Sequence, residues 1–345
     1  MIANASSVGT LAGGPLAIGP LQLSGRAFLA PMSGVTDVGM RRIALQFGAS
    51  LVPSEMVASD DLVRGEAESR IRAEGEGVRP HVVQIAGRDP YWMSEAARLV
   101  EASGAHAVDI NMGCPAKRVT GGLAGSALMR DLELATEIIR ATVAAVRIPV
   151  SLKMRLGWDR SSLNAPDLAR RAETEGVALL AIHGRTRDQF YKGEADWHAI
   201  RSVKDVVAIP VVANGDCASP EDAATMVSAS GADAVMIGRG AIGRPWLVGQ
   251  IAHFLATGKL GPLPSFDQRR RAALTHYRTL LSLFGREKGL RHARKHLAAY
   301  AEWAARDGSP SAAALRTRLV NSENPAEVER LLSRAFEYEP VLEAA

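Results

Sequence analysis

The chain has 345 residues, 47% of them apolar and 23% charged, with a formal net charge of +4, which excludes a disordered or fibrous protein. That length exceeds what one compact core usually holds, so one large domain with a smaller appendage is expected. No apolar run approaches the ~18 residues of a membrane-spanning helix. The two cysteines, Cys114 and Cys217, make no disulfide framework and sit in no CxxC or Cys/His cluster, so neither an oxidising compartment nor a bound metal is expected.

The N-terminus, MIANASSVGTLAGGPLAIGP, lacks the basic start and unbroken apolar block of a secretion signal, and a cytoplasmic location is expected. Segment 16–26, LAIGPLQLSGR, reads as a short hairpin closing the bottom of the main domain. Short β-rich runs then recur: AFLAPM (27–32), LVPSEM (51–56), HVVQIA (81–86), AVDINM (107–112), VSLKMR (150–155), LLAIHG (179–184), VVAN (211–214) and AVMIGR (234–239). Between them lie segments of helical periodicity, including PYWMSEAARLVEAS, LELATEIIRATVAAV and SPEDAATMVSAS. The last opens on Ser219-Pro220-Glu221, an N-cap followed by proline at the first helical position. Strands apolar on both faces and alternating with helices indicate a parallel sheet. Eight such units predict an α/β fold, a (β/α)8 TIM barrel, rather than an open doubly wound sheet. The stretch GKLGPLPSF (258–266) reads as a linker, and helical spacing resumes over 267–338. The expected organisation is a barrel over 1–257, a linker over 258–266 and a small C-terminal helical domain over 267–345.

Charge is unevenly placed along this plan. Residues 1–265 carry 27 basic and 27 acidic groups, whereas 266–318 carry 12 and 4, and 319–345 carry 2 and 6. A basic stretch of this kind serves a polyanion partner or is simply solvated surface; composition leaves both open.

In such a barrel the chemistry sits where strands end and βα loops begin. The exits here offer Pro31-Met32-Ser33-Gly34, Ser54-Glu55, Gln84, Asn111 with Cys114, Lys153 and Arg155, His183 and Arg185, Asn214-Gly215-Asp216 and Gly238-Arg239-Gly240. One buried polar side chain is often a satisfied core group, but polar groups at the same end of all eight strands indicate a ligand-filled mouth. NGD and GRG, after the seventh and eighth strands, lie where barrels hold a phosphate, with glycines admitting backbone N–H groups and Arg239 adding a charged donor. Gln84 suits the edge of a flat heterocycle such as flavin, and Lys153 suits a ring that becomes negative on reduction. GxGxxG and GxxxxGK[ST] are absent, so neither a dinucleotide fold nor a P-loop is supported. The residues alone reach a barrel holding a phosphorylated cofactor.

Seven motifs go further: APMSGVTD, VQIAG, DINMGCPAKRVTGGLAGSALMRD, LKMRLGWD, IHGRTRDQFYKGEADW, ANGD and GADAVMIGRGAIGRPW. In this order, over nearly the whole chain, they resemble the tRNA-dihydrouridine synthases, most of all their bacterial B type. The resemblance implies an FMN-dependent barrel whose helical domain grips tRNA, reducing D-loop uridines to dihydrouridine with NADPH as hydride donor. With the cysteine pattern and the apolar runs already described, no metal and no membrane partner are expected, and a monomer is expected. The resemblance makes Cys114 the catalytic acid. An ordinary thiol, with a pKa of about 8.5, is mostly protonated at neutral pH yet acidic enough to deliver a proton. Cys217, at a helix entrance, is given no role.

By the same resemblance FMN contacts fall on Pro31, Met32, Ser33, Gln84, Lys153, His183, Asn214, Gly215, Asp216, Gly238 and Arg239. Asn111 and Arg185 would face the uridine or the flavin. Glu55 is either a contact or a supporting ion pair, and His183 either pairs with a ring carbonyl or serves as a second acid. A stacked uridine must be extruded to react, and positive charge on the backbone offsets part of that penalty. Lys117 and Arg118, in the glycine-rich loop after Cys114, and Arg286, Lys288, Arg291, Arg294 and Lys295 are the expected tRNA contacts. Two rival readings are an FMN barrel acting on a free pyrimidine, which needs no basic helical domain, and a tRNA-binding barrel without turnover, which has no reason to keep Cys114, Lys153 and Arg239 together.

Overall fold

A computed structural model describes residues 16–337; the first residues of the N-terminal stretch, and the last eight of the chain, lie outside them. A hairpin of β1 (Ala17–Ile18) and β2 (Leu21–Gln22) precedes β3 (Ala27–Leu29) and α1 (Val38–Gln46). Then come β4 (Val57–Ala58), α2 (Ser59–Val63), α3 (Ala67–Ala73), β5 (Val82–Ala86), α4 (Pro90–Ala102) and β6 (Ala107–Met112). A single helical turn, α5 (Lys117–Thr120), and a 3-10 turn at Gly125–Arg130 lead to α6 (Leu132–Ala145), β7 (Val150–Arg155) and α7 (Ala165–Thr174). The barrel continues through β8 (Leu179–His183), α8 (Trp197–Lys204), β9 (Val211–Asn214), α9 (Pro220–Ser230), β10 (Ala234–Ile237) and α10 (Leu247–Thr257). Beyond it lie α11 (Phe266–Arg306), α12 (Pro310–Asn321) and α13 (Pro325–Arg334).

Strands β3 to β10 form one parallel sheet ordered β3-β10-β9-β8-β7-β6-β5-β4. The ring closes through the segment before β4, where Phe28 bridges Leu51 and the Leu29 N–H donates to the Leu51 carbonyl at 2.8 Å. The fold is therefore the expected (β/α)8 barrel. Its second strand differs from expectation: over 51–56 the chain touches β3 at one bridge, and regular pairing with β5 begins only at Val57. Pro53 has no N–H to give a ladder, and Ser54 already donates to Val82 of the next strand, so this segment crosses from one neighbour to the other.

The hairpin does plug the bottom. Leu16, Ile18 and Leu23 pack with Phe28, Val82, Ala107, Leu179 and Ala234, residues at the starts of the strands. The outward faces, including Val83, Ile85, Val108, Ile110, Leu152, Ile182 and Val235, are sealed by the helices. Burial of the apolar outer face and of the bottom cluster drives the sheet, and the polar side chains of the inner face lie above that cluster.

The long helix α11 is two arms, 266–284 and 286–306, broken at Gly285, whose φ of 71° and ψ of 176° are open to glycine alone at little strain. The arms run antiparallel, with Phe284 stacked on His292 (4.2 Å) and His276 against His296 (4.4 Å). Gly289 permits this contact: a Cβ there would lie 2.8 Å from the Leu280 carbonyl oxygen. Tyr277, Leu280, Leu297, Tyr300, Leu319, Leu331 and Leu332 give α11–α13 a core of their own. A buried polar cluster joins this unit to the barrel. Asp37 caps α1 through the N–H groups of Gly39 and Met40, and its other oxygen meets His276 Nε2 at 3.0 Å and His296 Nε2 at 3.9 Å. Tyr300 OH stands 3.1 Å from His276 Nδ1. Burial alone would raise the Asp37 pKa, but the two histidines and the Met40 N–H hold it down at about 2.

Candidate active site

The upper end of the barrel opens into a cavity of about 1770 Å³ that extends beneath the helical arms. Strand register fills it. Pairing places Gln84 beside Asp109 and Asp109 beside Ser151; one layer higher, Asn111 pairs with Lys153 and His183 with Asn214. Since alternate residues share a face, two polar layers point inward, and the upper one lines the cavity.

The lower layer is a closed network. Asp109, with 4% of its surface exposed, accepts from Gln84 Nε2 (2.6 Å) and Ser151 Oγ (2.6 Å). Burial raises the Asp109 pKa, opposed by those two hydrogen bonds and by the Lys153 charge. Gln84 Oε1 accepts from Asn111 Nδ2 at 2.8 Å, and Asn111 Oδ1 accepts from the N–H groups of Gly113 (3.2 Å) and Cys114 (3.0 Å). The sequence had set Gln84 against a cofactor edge; it is 1% exposed, and it lies beneath Asn111 rather than on the cavity lining.

In the upper layer Lys153 projects its ammonium inward and donates to Asn214 Oδ1 at 3.1 Å, while Asn214 Nδ2 donates to the Met236 carbonyl at 2.7 Å. Burial, then the nearby Arg155 charge, lowers the Lys153 pKa to about 8, against the pull of Asp109 and Cys114. An ammonium has three donors, and the remainder face the cavity that Lys153 lines. His183 is pushed well below its ordinary pKa by burial and then by Lys153, Arg155, Arg185 and Arg239. It is therefore a neutral imidazole, an arrangement that suits hydrogen bonding to a ligand rather than charge pairing.

Cys114 is half-buried at the exit of β6, and its carbonyl accepts from both the backbone N–H (3.1 Å) and the hydroxyl (2.8 Å) of Ser126. The loop the sequence left glycine-rich is thus clasped back on the cysteine through α5 and the 3-10 turn. Gly125, at φ 60°, is required there: a Cβ would lie 2.9 Å from the Cys114 carbonyl oxygen. Arg155 holds the neighbouring backbone, donating to Gly113 (2.9 Å), Thr186 (2.8 Å) and Phe190 (2.9 Å). The buried Cys217 thiol, by contrast, is pushed up to about 12 by its desolvation.

Where β9 and β10 end, Gly215 adopts φ 127°, and a side chain there would strike Ala195 (2.5 Å) and His183 (3.2 Å). Asp216 accepts from Arg185 (2.9 and 2.5 Å), Arg239 (2.9 Å) and the Ala195 N–H (2.8 Å). Burial opposes its ionisation, but these bonds and charges bring its pKa below the usual value. Arg185, 1% exposed, also donates to the carbonyls of Lys192 and Gly193. It buttresses Asp216 and the β8–α8 loop and does not line the cavity, unlike the sequence-based expectation of a substrate-facing group. Pro31, Met32, Ser33, Asn111, Cys114, Lys153, His183, Asn214, Gly215, Asp216, Gly238 and Arg239 all do. Glu55 accepts from the Gly34 N–H (2.7 Å) and stands 3.9 Å from Arg72, so it supports the first loop.

Three features escaped the sequence reading. Asp109 was hidden inside an apolar-looking strand. Tyr191 lies over both Arg155 (5.5 Å) and Arg239 (5.0 Å) at the cavity wall; an aromatic in a long βα loop was its only signal. Trp303 was visible as one of the aromatics interleaved with the basic residues, most of them expected to pack in a core; what escaped is its place where the helical arms overhang the mouth, with Arg244 (3.7 Å) and Arg306 (4.7 Å) on its ring. The basic groups of the helical unit divide clearly. Arg269, Arg270, Arg271, Arg278 and Arg318 pair with carboxylates. Among the described residues Lys288, Arg291 and Arg294 have no such partner, Arg286 reaches only the Glu323 carbonyl (3.4 Å), and Lys295 donates to Gly34 of the first barrel loop. Lys117 and Arg118 stand exposed on α5. No described helix is long and apolar enough to cross a membrane.

A (β/α)8 barrel with a polar mouth, a buried lysine and a cysteine at one strand exit has the layout of a barrel enzyme, whose chemistry sits where strands end and βα loops begin. The family model described as Dihydrouridine synthase (Dus) matches residues 28–339, and the chain belongs to that family. A protein of Rhizobium leguminosarum bv. phaseoli named "Probable tRNA-dihydrouridine synthase" is 50% identical over 317 residues, covering 92% of this chain and 97% of its own. One of Xanthomonas axonopodis pv. citri (strain 306) named "tRNA-dihydrouridine synthase B" is 48% identical over 309 residues, 89% of this chain and 92% of its own. Among solved structures, a histamine dehydrogenase from Rhizobium sp. 4-9 aligns with a TM-score of 0.54 at 13% identity, over 79% of this chain and about half (51%) of that one. At that identity the likeness is one of fold.

Proposed function

We propose that this chain reduces specific uridines in the D-loop of tRNA to 5,6-dihydrouridine, with FMN as resident cofactor, NADPH as reductant and Cys114 as proton donor. Synthesis of dihydrouridine in tRNA follows from the family; the cofactor, the nucleotide position and the residue roles are our reading. The observation that carries it is the convergence of Cys114, the buried Lys153 ammonium and a glycine-lined anion cradle in one cavity.

The residues fit a flavin nucleotide. The cavity exceeds the roughly 300–1,000 Å³ of a single small-molecule site, leaving room for a second planar group over the first. The backbone at Gly215, Gly238 and Gly240 with Arg239 suits the phosphate, and Pro31, Met32, Ser33 and Asn214 would border the ring. Bound FMN, once reduced, supplies a hydride equivalent to uracil C6. Lys153 places positive charge where the ring system gains electrons, and neutral His183 offers a hydrogen bond without repelling it. Cys114 gives its proton to C5, so the C5–C6 double bond gains one hydride and one proton. Lys153 and Arg155, which feel the Cys114 charge, stabilise the thiolate until solvent reprotonates it.

A uridine extruded from the D-loop would enter between α5 and the helical arms. Lys117 and Arg118 stand on one side, and Arg286, Lys288, Arg291, Arg294 and Lys295 on the other. A domain division at 258–266 suits this reading, since it sets the basic arms on a unit with its own core. A barrel acting on a free pyrimidine has no use for these unpaired cations. The test is the purified protein and Cys114→Ala. Wild type should be yellow and form dihydrouridine in tRNA lacking it. The variant should keep flavin and tRNA but lose about 10²-fold or more in rate. Full activity in Cys114→Ala would overturn the acid role, and a colourless protein unable to take up FMN would overturn the whole reading.

A further inference from the structure

We infer that Asp109 is a positioning residue that sets the polarity of a buried relay ending on the Cys114 backbone; the inference rests on the Cys114 role proposed above. The relay runs Asp109, Gln84, Asn111, Cys114, every link between 2.6 and 3.0 Å. Both Asp109 oxygens accept here, one from Gln84 Nε2 and the other from Ser151 Oγ, and a backbone N–H only donates. Each amide between them has one donating and one accepting end. Asp109 commits Gln84 Nε2 to donate, so Gln84 presents Oε1 to Asn111. Asn111 must then donate through Nδ2 and present Oδ1 to the N–H groups of Gly113 and Cys114. Both ends of the relay demand the same orientation, which leaves a single consistent arrangement. Ser151 Oγ occupies the other Asp109 oxygen and completes it.

The relay also decides what Asn111 shows a ligand. With Oδ1 and one Nδ2 hydrogen engaged, the unspent group on this cavity-lining side chain is an N–H. Asn111 thus presents a donor, suited to a ring carbonyl, on the same wall as the thiol. Register makes this possible, because Gln84, Asp109 and Ser151 are direct neighbours across β5, β6 and β7.

Asp109→Leu is close in size and leaves the first link without an acceptor. Gln84 Nε2 then has no partner, so Gln84 is free to turn Oε1 away from Asn111 and loosen the hold on the Cys114 N–H. Asp109→Asn is the control, because its Oδ1 can still accept from Gln84 while its Nδ2 donates to the Ser151 hydroxyl, and the relay keeps its direction. Gln84→Met cuts the relay while leaving the Asp109 carboxyl group in place. The first measurement is the rate of iodoacetamide alkylation at Cys114 in flavin-free protein, read by peptide mass. We expect Asp109→Leu and Gln84→Met each to shift it at least threefold, and Asp109→Asn to stay near wild type. The second is dihydrouridine formation in tRNA: Asp109→Leu should lower kcat at least tenfold with KM for tRNA within twofold, and Asp109→Asn should exceed Asp109→Leu at least fivefold. Equal alkylation rates in all four proteins would overturn the inference. So would a wild-type rate in Gln84→Met beside a shifted Asp109→Asn, which would make charge the operative property. Failure of wild type to form dihydrouridine would remove the proposed function, while the alkylation pattern would still decide the relay.

Discussion

Lys153→Met should make the flavin-free protein more stable and the cofactor site worse. Burial lowers the Lys153 pKa from 10.5 to about 8, so keeping the ammonium charged in the folded state costs roughly 3 kcal/mol near neutral pH. Methionine has similar length and no charge to desolvate. Its one loss is the hydrogen bond to Asn214 Oδ1, and an acceptor left buried without a donor costs about 1–3 kcal/mol. The balance is a gain of about 1 kcal/mol for the variant, measurable as a shifted urea midpoint with unchanged slope. The sign with pH is set by the lowered folded-state value. Below about 8 both folded and unfolded wild type hold the proton and the full penalty applies. Between about 8 and 10.5 the folded state has shed it while the unfolded state has not, so wild-type stability climbs and the gap closes. FMN affinity of the variant should fall at least tenfold, since no positive charge then faces the ring. A flavin-free variant less stable than wild type by 1 kcal/mol or more, or a gap that does not narrow toward pH 10, would refute the burial argument. Unchanged FMN affinity would refute the assigned role.

The same geometry sets other outcomes. Flavin-free wild type should bind FMN more weakly as pH rises through about 8, where Lys153 loses its proton, and Lys153→Met should show no such slope in fluorescence titration. Arg286→Ala/Lys288→Ala/Arg291→Ala should weaken tRNA binding and lower the slope of log Kd against log salt by up to about 2, with FMN content unchanged. His276→Ala removes the nearest side-chain partner of the buried Asp37 carboxyl group, leaving the Gly39 and Met40 N–H groups and the more distant His296, and should cost about 1–3 kcal/mol in urea unfolding, whereas His276→Gln, which keeps a donor near it, should cost clearly less. Gly249→Ala would put a Cβ 1.7 Å from the Phe47 carbonyl oxygen; because backbone cannot swing aside, a loss of about 3 kcal/mol or more is expected, read as a lowered Tm.

The barrel was legible because a buried parallel strand announces itself locally. Each run is short, rich in apolar and β-branched residues and set between helical segments, so AVDINM, VSLKMR and VVAN needed no knowledge of their neighbours. The polar residue at each exit was equally plain, as was the helical spacing after residue 266. Pro53 was visible too, yet its consequence was not: whether a proline interrupts a strand depends on which neighbours surround it, and here the segment passes from β3 to β5.

What sequence order left undetermined is which polar group meets which. Gln84 and Arg185 were assigned to a ligand because they sit at strand exits, yet Gln84 faces Asp109 and Arg185 faces Asp216 across gaps of under 3 Å. Likewise the basic stretch read as uniform, but carboxylates, one in its own first turn and others on distant segments, neutralise one part of it and, among the described residues, leave the cations just past Gly285 without such partners. A chain pattern reports which face a side chain occupies, because that depends on residues two or four positions away. The partner of a hydrogen bond is set by the stagger of strands and the crossing of helices far apart in sequence, and so only the closed barrel with its helical arms in place decides it.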